Sequence, residues 1–252
     1  MKPFIIAITL AAILAGLFAG CSAGPRAASE PDSSQEPSEQ PQESQAQAPE
    51  IDPLAEVSLI QFSELSADEP VAVLETTHGV IKIRFFPDQA PKAVENFKGL
   101  IEQNYYNGKT FHKTVNEYMI QGGSLDGRGG GGASIFDGLP FELEWSPDLW
   151  HFRGAVSMVN TGEPESTLSQ FIIIQNSEIS EQTVADMQAA QFPSGVVDKY
   201  LEAGGSPHLD TKYTVFGQVI EGMETVDAIA ALQASGAETP SEAVVILTAT
   251  IE

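Results

Sequence analysis

Apolar residues follow three regimes along this chain. From Phe4 to Ala19 they form a run preceded by a single lysine, "MKPFIIAITLAAILAGLFAG". The run is too short and too simply flanked for a mature spanning helix, so residues 1–20 read as a secretory signal peptide, with a membrane-spanning anchor as the rival reading. From residue 22 to about 56 almost nothing apolar remains. From Pro70 onward apolar positions return with the two periods of secondary structure, alternate residues in strands and every third or fourth residue in helices.

The globular part opens with "VAVLETTHGVIKIRFF", two β-rich runs about a Thr77-His78-Gly79 turn, which predicts a hairpin. Ala93, Val94, Phe97, Leu100 and Ile101 then lie at helical spacing, after an Asp88 placed to cap and before an Asn107-Gly108 stop. Short β-like runs are expected at 111–115, 118–122, 154–160, 171–175 and 213–219. "GMETVDAIAAL" is a second helix and "AVVILTATIE" a closing strand. Strands outnumber helices, and the two helices sit near opposite ends of the domain. A mainly β fold results, a closed antiparallel barrel capped by two helices, because closure removes exposed strand edges. Residues 178–205, "EISEQTVADMQAAQFPSGVVDKYLEAGG", are expected as a helical insertion, in its plainest reading a surface decoration.

Composition adds a leader and a tether. Small residues precede the only cysteine in "LFAGC", an arrangement that resembles a bacterial lipoprotein signal with Cys21 lipidated. A lone cysteine has no disulfide partner, so the fold must stand on its core. Residues 21–56 are rich in Ser, Glu, Gln and Pro, too polar to offset their ordering entropy, and are expected as a disordered acidic tether. Residues 57–69 are then a linker and 70–252 the domain. The formal charge of -23 argues against nucleic acid and anionic lipid as partners. It favours a monomer, while the signal and the lipid on Cys21 imply a protein that is extracytoplasmic and held at the bacterial cell membrane.

Several chemistries fail on inspection. "GRGGGG" at 127–132 has no following Lys-Ser or Lys-Thr and opens no helix, so it reads as a mobile loop rather than a phosphate cradle. His78, His112, His151 and His208 lack the spacing of a metal site. Glu142 and Glu144 alternate along an extended run without forming a hydrolase pair, and no Gly-x-Ser-x-Gly elbow occurs.

Four segments remain: "FHKTVNEYMIQGG" at 111–123, "GAVSMVN" at 154–160, "SQFIIIQ" at 169–175 and "PHLDTKYTVFGQVIEGMETVD" at 207–227. In this order they resemble the cyclophilin family of peptidyl-prolyl cis/trans isomerases, from about residue 71 to the C-terminus. The resemblance implies an eight-stranded barrel, no cofactor and no metal. It also implies a groove for proline-containing segments, here of exported polypeptides whose folding the protein would assist. It places Lys113 where the family carries a catalytic arginine, Gln121 and Asn160 as holders of the substrate backbone, and Tyr118, Met119, Val159, Ile172, His208, Leu209 and Tyr213 about the proline. Lysine for arginine exchanges a rigid planar fork for a mobile point charge. Ile172 replaces a pocket phenylalanine and Val159 a small alanine. Those three departures support a second expectation, a module that binds proline-containing segments with little catalysis. A lipoprotein that captures small solutes is disfavoured, because such proteins need a larger two-lobed chain.

Overall fold

The structure, a computed structural model, describes residues 49–54, 57–163 and 165–252. The signal peptide, Cys21 and the tether before residue 49 lie outside the described residues. The elements are β1 (Val71–Thr76), β2 (Gly79–Phe85), α1 (Pro91–Glu102), β3 (Phe111–Val115), β4 (Met119–Gly122), β5 (Phe141–Glu142), β6 (Ala155–Met158), β7 (Glu165–Thr167), β8 (Phe171–Ile174), α2 (Glu181–Ala189), α3 (Ser194–Ala203), β9 (Thr214–Glu221), α4 (Met223–Ala230) and β10 (Ile246–Ile251). Short 3-10 turns occupy Ile60–Phe62 and Pro207–Leu209.

Eight strands form one antiparallel sheet in the order β10-β1-β2-β9-β6-β8-β4-β3, and β5 pairs with β7 in a ribbon of its own. The expected closure is corrected here: the sheet is open, and its two edge strands do not form a ladder. Near the edge stand one bridge, Thr110 with Val245, and three backbone hydrogen bonds: Phe111 N–H to the Val244 carbonyl at 3.0 Å, Ile246 N–H to the Lys109 carbonyl at 2.8 Å and Gly108 N–H to the Ile246 carbonyl at 2.8 Å. Farther along β3 the Thr114 N–H donates to the Glu238 carbonyl at 2.8 Å. The loop after α4 thus covers the edge that a closed ladder would have paired, which answers the same need to satisfy edge N–H groups.

The inner face of the curled sheet carries the main core. Phe97 of α1 sits at its centre, with ring centroids 5.3 Å from Phe171, 5.0 Å from Phe216 and 4.8 Å from Tyr106. Helix α1 buries the stripe its periodicity predicts and packs against β9 and β10, while α4 covers β2, β3 and β4. The cap on α1 differs from expectation. Asp88 does not cap it; instead the Glu144 carboxylate accepts the Lys92 and Ala93 N–H groups at 3.0 and 2.9 Å. A carboxylate at a helix N-terminus satisfies orphan donors and matches the helix dipole.

The insertion is helical as expected, with α2 and α3 packed over a separate cluster of Trp150, Phe152, Met187, Val196 and Tyr200. Its edge reaches back past the expected linker into the end of the expected tether: Val57 and Leu59 of the former, and Ile51 of the latter, pack against that cluster, so the ordered chain begins before residue 57. Gln61 is buried, 3% exposed, and its amide donates to the Trp150 carbonyl and to Gln218 Oε1, both at 2.9 Å, while its oxygen accepts the Trp150 N–H at 2.7 Å. Arg84 likewise reaches back to the Ser63 carbonyl and to Glu69.

A domain begun at residue 70 would therefore lack part of its own frame. Gln61→Ala leaves a buried N–H and a buried carbonyl of Trp150 without partners, which should cost about 2 kcal/mol or more. Urea unfolding should show a lower midpoint at unchanged slope; an unmoved midpoint would show that residues 57–69 only lie on the surface.

Candidate active site

Strand alternation divides the sheet's residues between two faces, and the sequence segments singled out above meet on the outer one. Residues paired across antiparallel strands share a face. Lys113 pairs with Gln121, Gln121 with Ile172, Ile172 with Ser157, and Ser157 with Val215, so one row crosses β3, β4, β8, β6 and β9. Their neighbours Ile120, Phe171, Ile173, Val156 and Phe216 point the other way into the main core. The row is polar at the β3 end and apolar toward β9.

Beside it lies an outer-face cluster. Met119, Ile172 and Leu209 are buried in it together with Phe86, Leu149 and Val215, and Tyr118, Val159 and Tyr213 pack against it half-buried. Every expected apolar contact residue is therefore on this face, none in the inner core. Tyr118 closes one side. Its ring stacks on that of His208 at 5.5 Å and 29°, and its hydroxyl is 3.1 Å from His208 Nε2.

The polar residues occupy the rim. Gln121 Nε2 donates to Gln170 Oε1 at 2.9 Å, and Gln170 donates to the carbonyls of Gly129 and Gly131 at 3.2 and 2.8 Å. The glycine-rich loop, expected to be mobile, is tied down further: Asp126 accepts the N–H groups of Arg128 and Gly130, and Ser124 that of Gly129. Asn160 Nδ2 donates to the Lys212 carbonyl at 2.8 Å. Lys113 Nζ is 2.8 Å from Glu238 Oε2, a half-exposed ion pair across the open edge of the sheet. Gly123 ends β4 at φ +82°, where an added Cβ would strike the Ser169 carbonyl. That close approach sets β4 against the segment carrying Gln170.

Behind the rim lies a network of buried polar residues. Asp210 Oδ1 accepts the His151 N–H at 2.9 Å and faces Nδ1 at 2.7 Å; Tyr200 donates to Oδ2 at 2.6 Å. His151 Nε2 is 3.0 Å from Ser157 Oγ, which donates to the Thr214 carbonyl at 3.0 Å. Burial first, then the Asp210 charge, holds the Tyr200 phenol well above its ordinary pKa, so it remains a donor. Ser157, His151 and Asp210 resemble a hydrolytic triad in order, but Ser157 is 0% exposed and offers no nucleophile to a substrate. Their geometry joins α3, the Pro207–Leu209 turn and β6.

Sequence reasoning missed Glu238, Gln170 and this network. Gln170 stood inside a quoted motif without a role; Glu238 carries no local signal, because only the fold of the edge loop brings it to β3. Among the described residues no group of three His, Cys, Asp or Glu is placed to hold a metal, and no helix is long and apolar enough to cross a membrane.

Comparison with known proteins gives this face its context. Residues 71–251 match the sequence profile of the cyclophilin type peptidyl-prolyl cis-trans isomerases. A candidate peptidyl-prolyl cis-trans isomerase of Staphylococcus saprophyticus is 42% identical over 168 residues, 67% of this chain and 84% of that one. A candidate bifunctional phosphatase/peptidyl-prolyl cis-trans isomerase of Streptococcus pyogenes is 41% identical over 204 residues, 77% of this chain but only 43% of its own length. A Cryptosporidium parvum cyclophilin type isomerase, solved in the presence of the dipeptide Ala-Pro, superimposes with a TM-score of 0.58 at 28% identity, over 72% of this chain and 98% of that one. With the profile spanning most of the chain and the outer-face site built from its matched segments, the chain belongs to the cyclophilin-type peptidyl-prolyl cis/trans isomerase family.

Proposed function

We propose that the outer-face site isomerises X-Pro bonds of exported polypeptides, with the proline among Met119, Ile172 and Leu209 and the reacting amide at the Lys113 rim. The observation that carries this reading is the cross-strand row, which sets a cation, an amide and an apolar floor side by side. Amide resonance raises a barrier of about 18–20 kcal/mol to rotation, so the uncatalysed reaction takes tens to hundreds of seconds. At the twisted transition state the prolyl nitrogen regains a lone pair. A donor aimed at it stabilises the twisted amide more than either planar form. Lys113 supplies that donor, Gln121 and Asn160 hold the flanking backbone, and Tyr118, Val159, His208 and Tyr213 wall the ring. The reaction asks for no acid, base, nucleophile or cofactor.

The Glu238 contact favours a second reading, a proline-segment binder with weak catalysis. An ammonium held by a carboxylate must leave it, in whole or part, to reach a prolyl nitrogen. Exposed ion pairs are worth about 0–1 kcal/mol, so the hindrance is modest and removable.

Upstream, small residues before the sole cysteine and the acidic, apolar-poor stretch behind it support a lipid anchor at Cys21 with the monomeric domain extended from the membrane on the extracytoplasmic side. Cys21→Ser should move the protein from membranes to the soluble exported fraction or leave it unprocessed. Membrane association of a correctly cleaved Cys21→Ser protein would end that reading.

For the site itself, Lys113→Ala should lower kcat/KM toward an Xaa-Pro peptide by on the order of a hundredfold with the fold intact. Lys113→Arg should raise it above the natural protein, and Glu238→Gln should raise it by up to about fivefold. Binding with no isomerisation in any of these proteins would leave the binder reading in its place.

Burial pushes the pKa of His208 below its ordinary 6.5, aided by Lys212, and burial lowers that of His112 as well. The folded protein thus binds fewer protons than the unfolded chain in the window from the depressed folded pKa up to about 6.5. Stability should rise with pH through that window and level off above it. Urea midpoints across the window should show this slope, reduced in His208→Gln; a slope of opposite sign would mean that the Tyr118–His208 contact holds an imidazolium.

A further inference from the structure

A second cavity, about 390 Å³, opens where the insertion meets the turn that carries the pocket residues. Ile51, Met187, Phe192 and Pro207 form its walls, and His208, Asp186 and Lys212 stand at its rim. It is a half-open concavity of the surface, within the size range of sites that take a ligand group. The insertion is not loosely held: Met187 is 2% exposed, and the Phe152 and Tyr200 rings meet at 4.5 Å.

Its polar groups are largely matched already. Both Asp210 oxygens serve His151 and Tyr200, Lys212 Nζ donates to the His208 carbonyl at 2.9 Å, and Asp186 accepts the Gln182 amide at 2.8 Å. What the cavity presents is apolar surface, suited to an uncharged side chain rather than to an ion. It lies beside the proline pocket, with His208 and Lys212 between the two. His208 stacks on Tyr118 in the pocket and lines the cavity, and the Lys212 carbonyl at the cavity holds the Asn160 side chain at the pocket rim.

We infer that this cavity is a second polypeptide subsite, taking a large apolar side chain of the same substrate whose proline occupies the outer-face pocket. The inference rests on the proposed reading of that pocket. An extended chain advances about 3.3 Å per residue, so residues a few positions either side of the proline are the ones whose side chains are tested for the cavity. Two other occupants are disfavoured by the sequence. Residues 22–48 contain no Val, Ile, Leu, Met, Phe, Tyr or Trp, so the chain's own tether has nothing to place there. A second copy would bring together two molecules of charge -23. Unfolded exported chains, by contrast, expose large apolar side chains near prolines.

The test compares a short Xaa-Pro tetrapeptide with longer peptides carrying Leu or Ser at each position two to four residues either side of the proline. Isomerisation (KM and kcat) and fluorescence-anisotropy binding are measured on the full chain. Leu at one position should tighten binding and lower KM by about tenfold, the scale of burying one large apolar side chain, with kcat unchanged. Ala190→Trp, which fills the cavity from its α2 wall, should erase that gain while leaving tetrapeptide turnover unchanged; Thr183→Phe does the same from another position should the first variant fold poorly. No gain from Leu, a gain that survives filling, or an equal loss on the tetrapeptide each overturns the subsite. A Leu gain that appears only after deletion of residues 22–48 makes the tether the occupant and also overturns it. If no peptide is isomerised yet anisotropy shows the gain and its loss on filling, the subsite stands and the isomerase reading of the pocket falls.

Discussion

The carboxylate of Asp210 is the constraint on which the site depends. A carboxyl group removed from water is tolerated only when hydrogen-bond partners replace its hydration. Here a backbone N–H and a ring nitrogen of His151 and the hydroxyl of Tyr200 do so, within 2.6–2.9 Å. Those donors come from two places: the segment before β6 and helix α3 of the insertion. Asp210 itself follows His208 and Leu209 directly, so meeting its need fixes the turn that places both against Tyr118 and Met119. The insertion is thereby tied into the site through one buried acceptor. Losing any one partner would leave a buried polar group unsatisfied, a larger penalty than loss of a surface contact of the same length would carry.

The second organising fact is the use of both faces of one sheet. The inner face is filled by large apolar side chains and by α1 and α4, which leaves the outer face free to carry a row graded from cation to apolar floor. The sheet's open edge is finished by the loop after α4 rather than by an eighth pairing. The same loop that satisfies the Thr114 N–H delivers Glu238 to Lys113. Edge protection and control of the proposed donor are therefore one structural feature.

Much of this was legible from residues alone, for physical reasons. Helix α1 and strands β1, β2, β9 and β10 announce themselves by local period, and the helical insertion by its composition. Adjacent residues in "YMIQ" had to alternate faces, so Met119 and Gln121, two apart, share the outer one. What could not be read was anything decided by long-range closure. A count of strands suggested a closed barrel, but whether two edges meet depends on the twist and length of strands far apart in sequence. The α1 cap by Glu144, the burial of Gln61 and the Glu238 partner share this origin: each joins segments whose proximity no local pattern encodes. Asp88, by contrast, looked like a cap because capping preferences are local, and a better-placed distant carboxylate won.

The exchange of arginine for lysine at position 113 takes its meaning from that loop. A guanidinium can hold a carboxylate with one edge and still present another N–H in a fixed direction. An ammonium has three donors on a flexible stem, and turning toward Glu238 draws the whole charge with it. If Lys113 is the donor proposed above, the protein starts its cycle with that donor stabilised in the free state, and catalysis counts only what is gained between free state and twisted amide. Binding of proline segments draws on the apolar floor and the Gln121 and Asn160 amides, none of which the ion pair touches. In the proposed reading the two capacities are separate in space: affinity would draw on β4, β8, the segment after β6 and the Pro207–Leu209 turn, and rate acceleration on the Lys113 charge at the sheet's open edge.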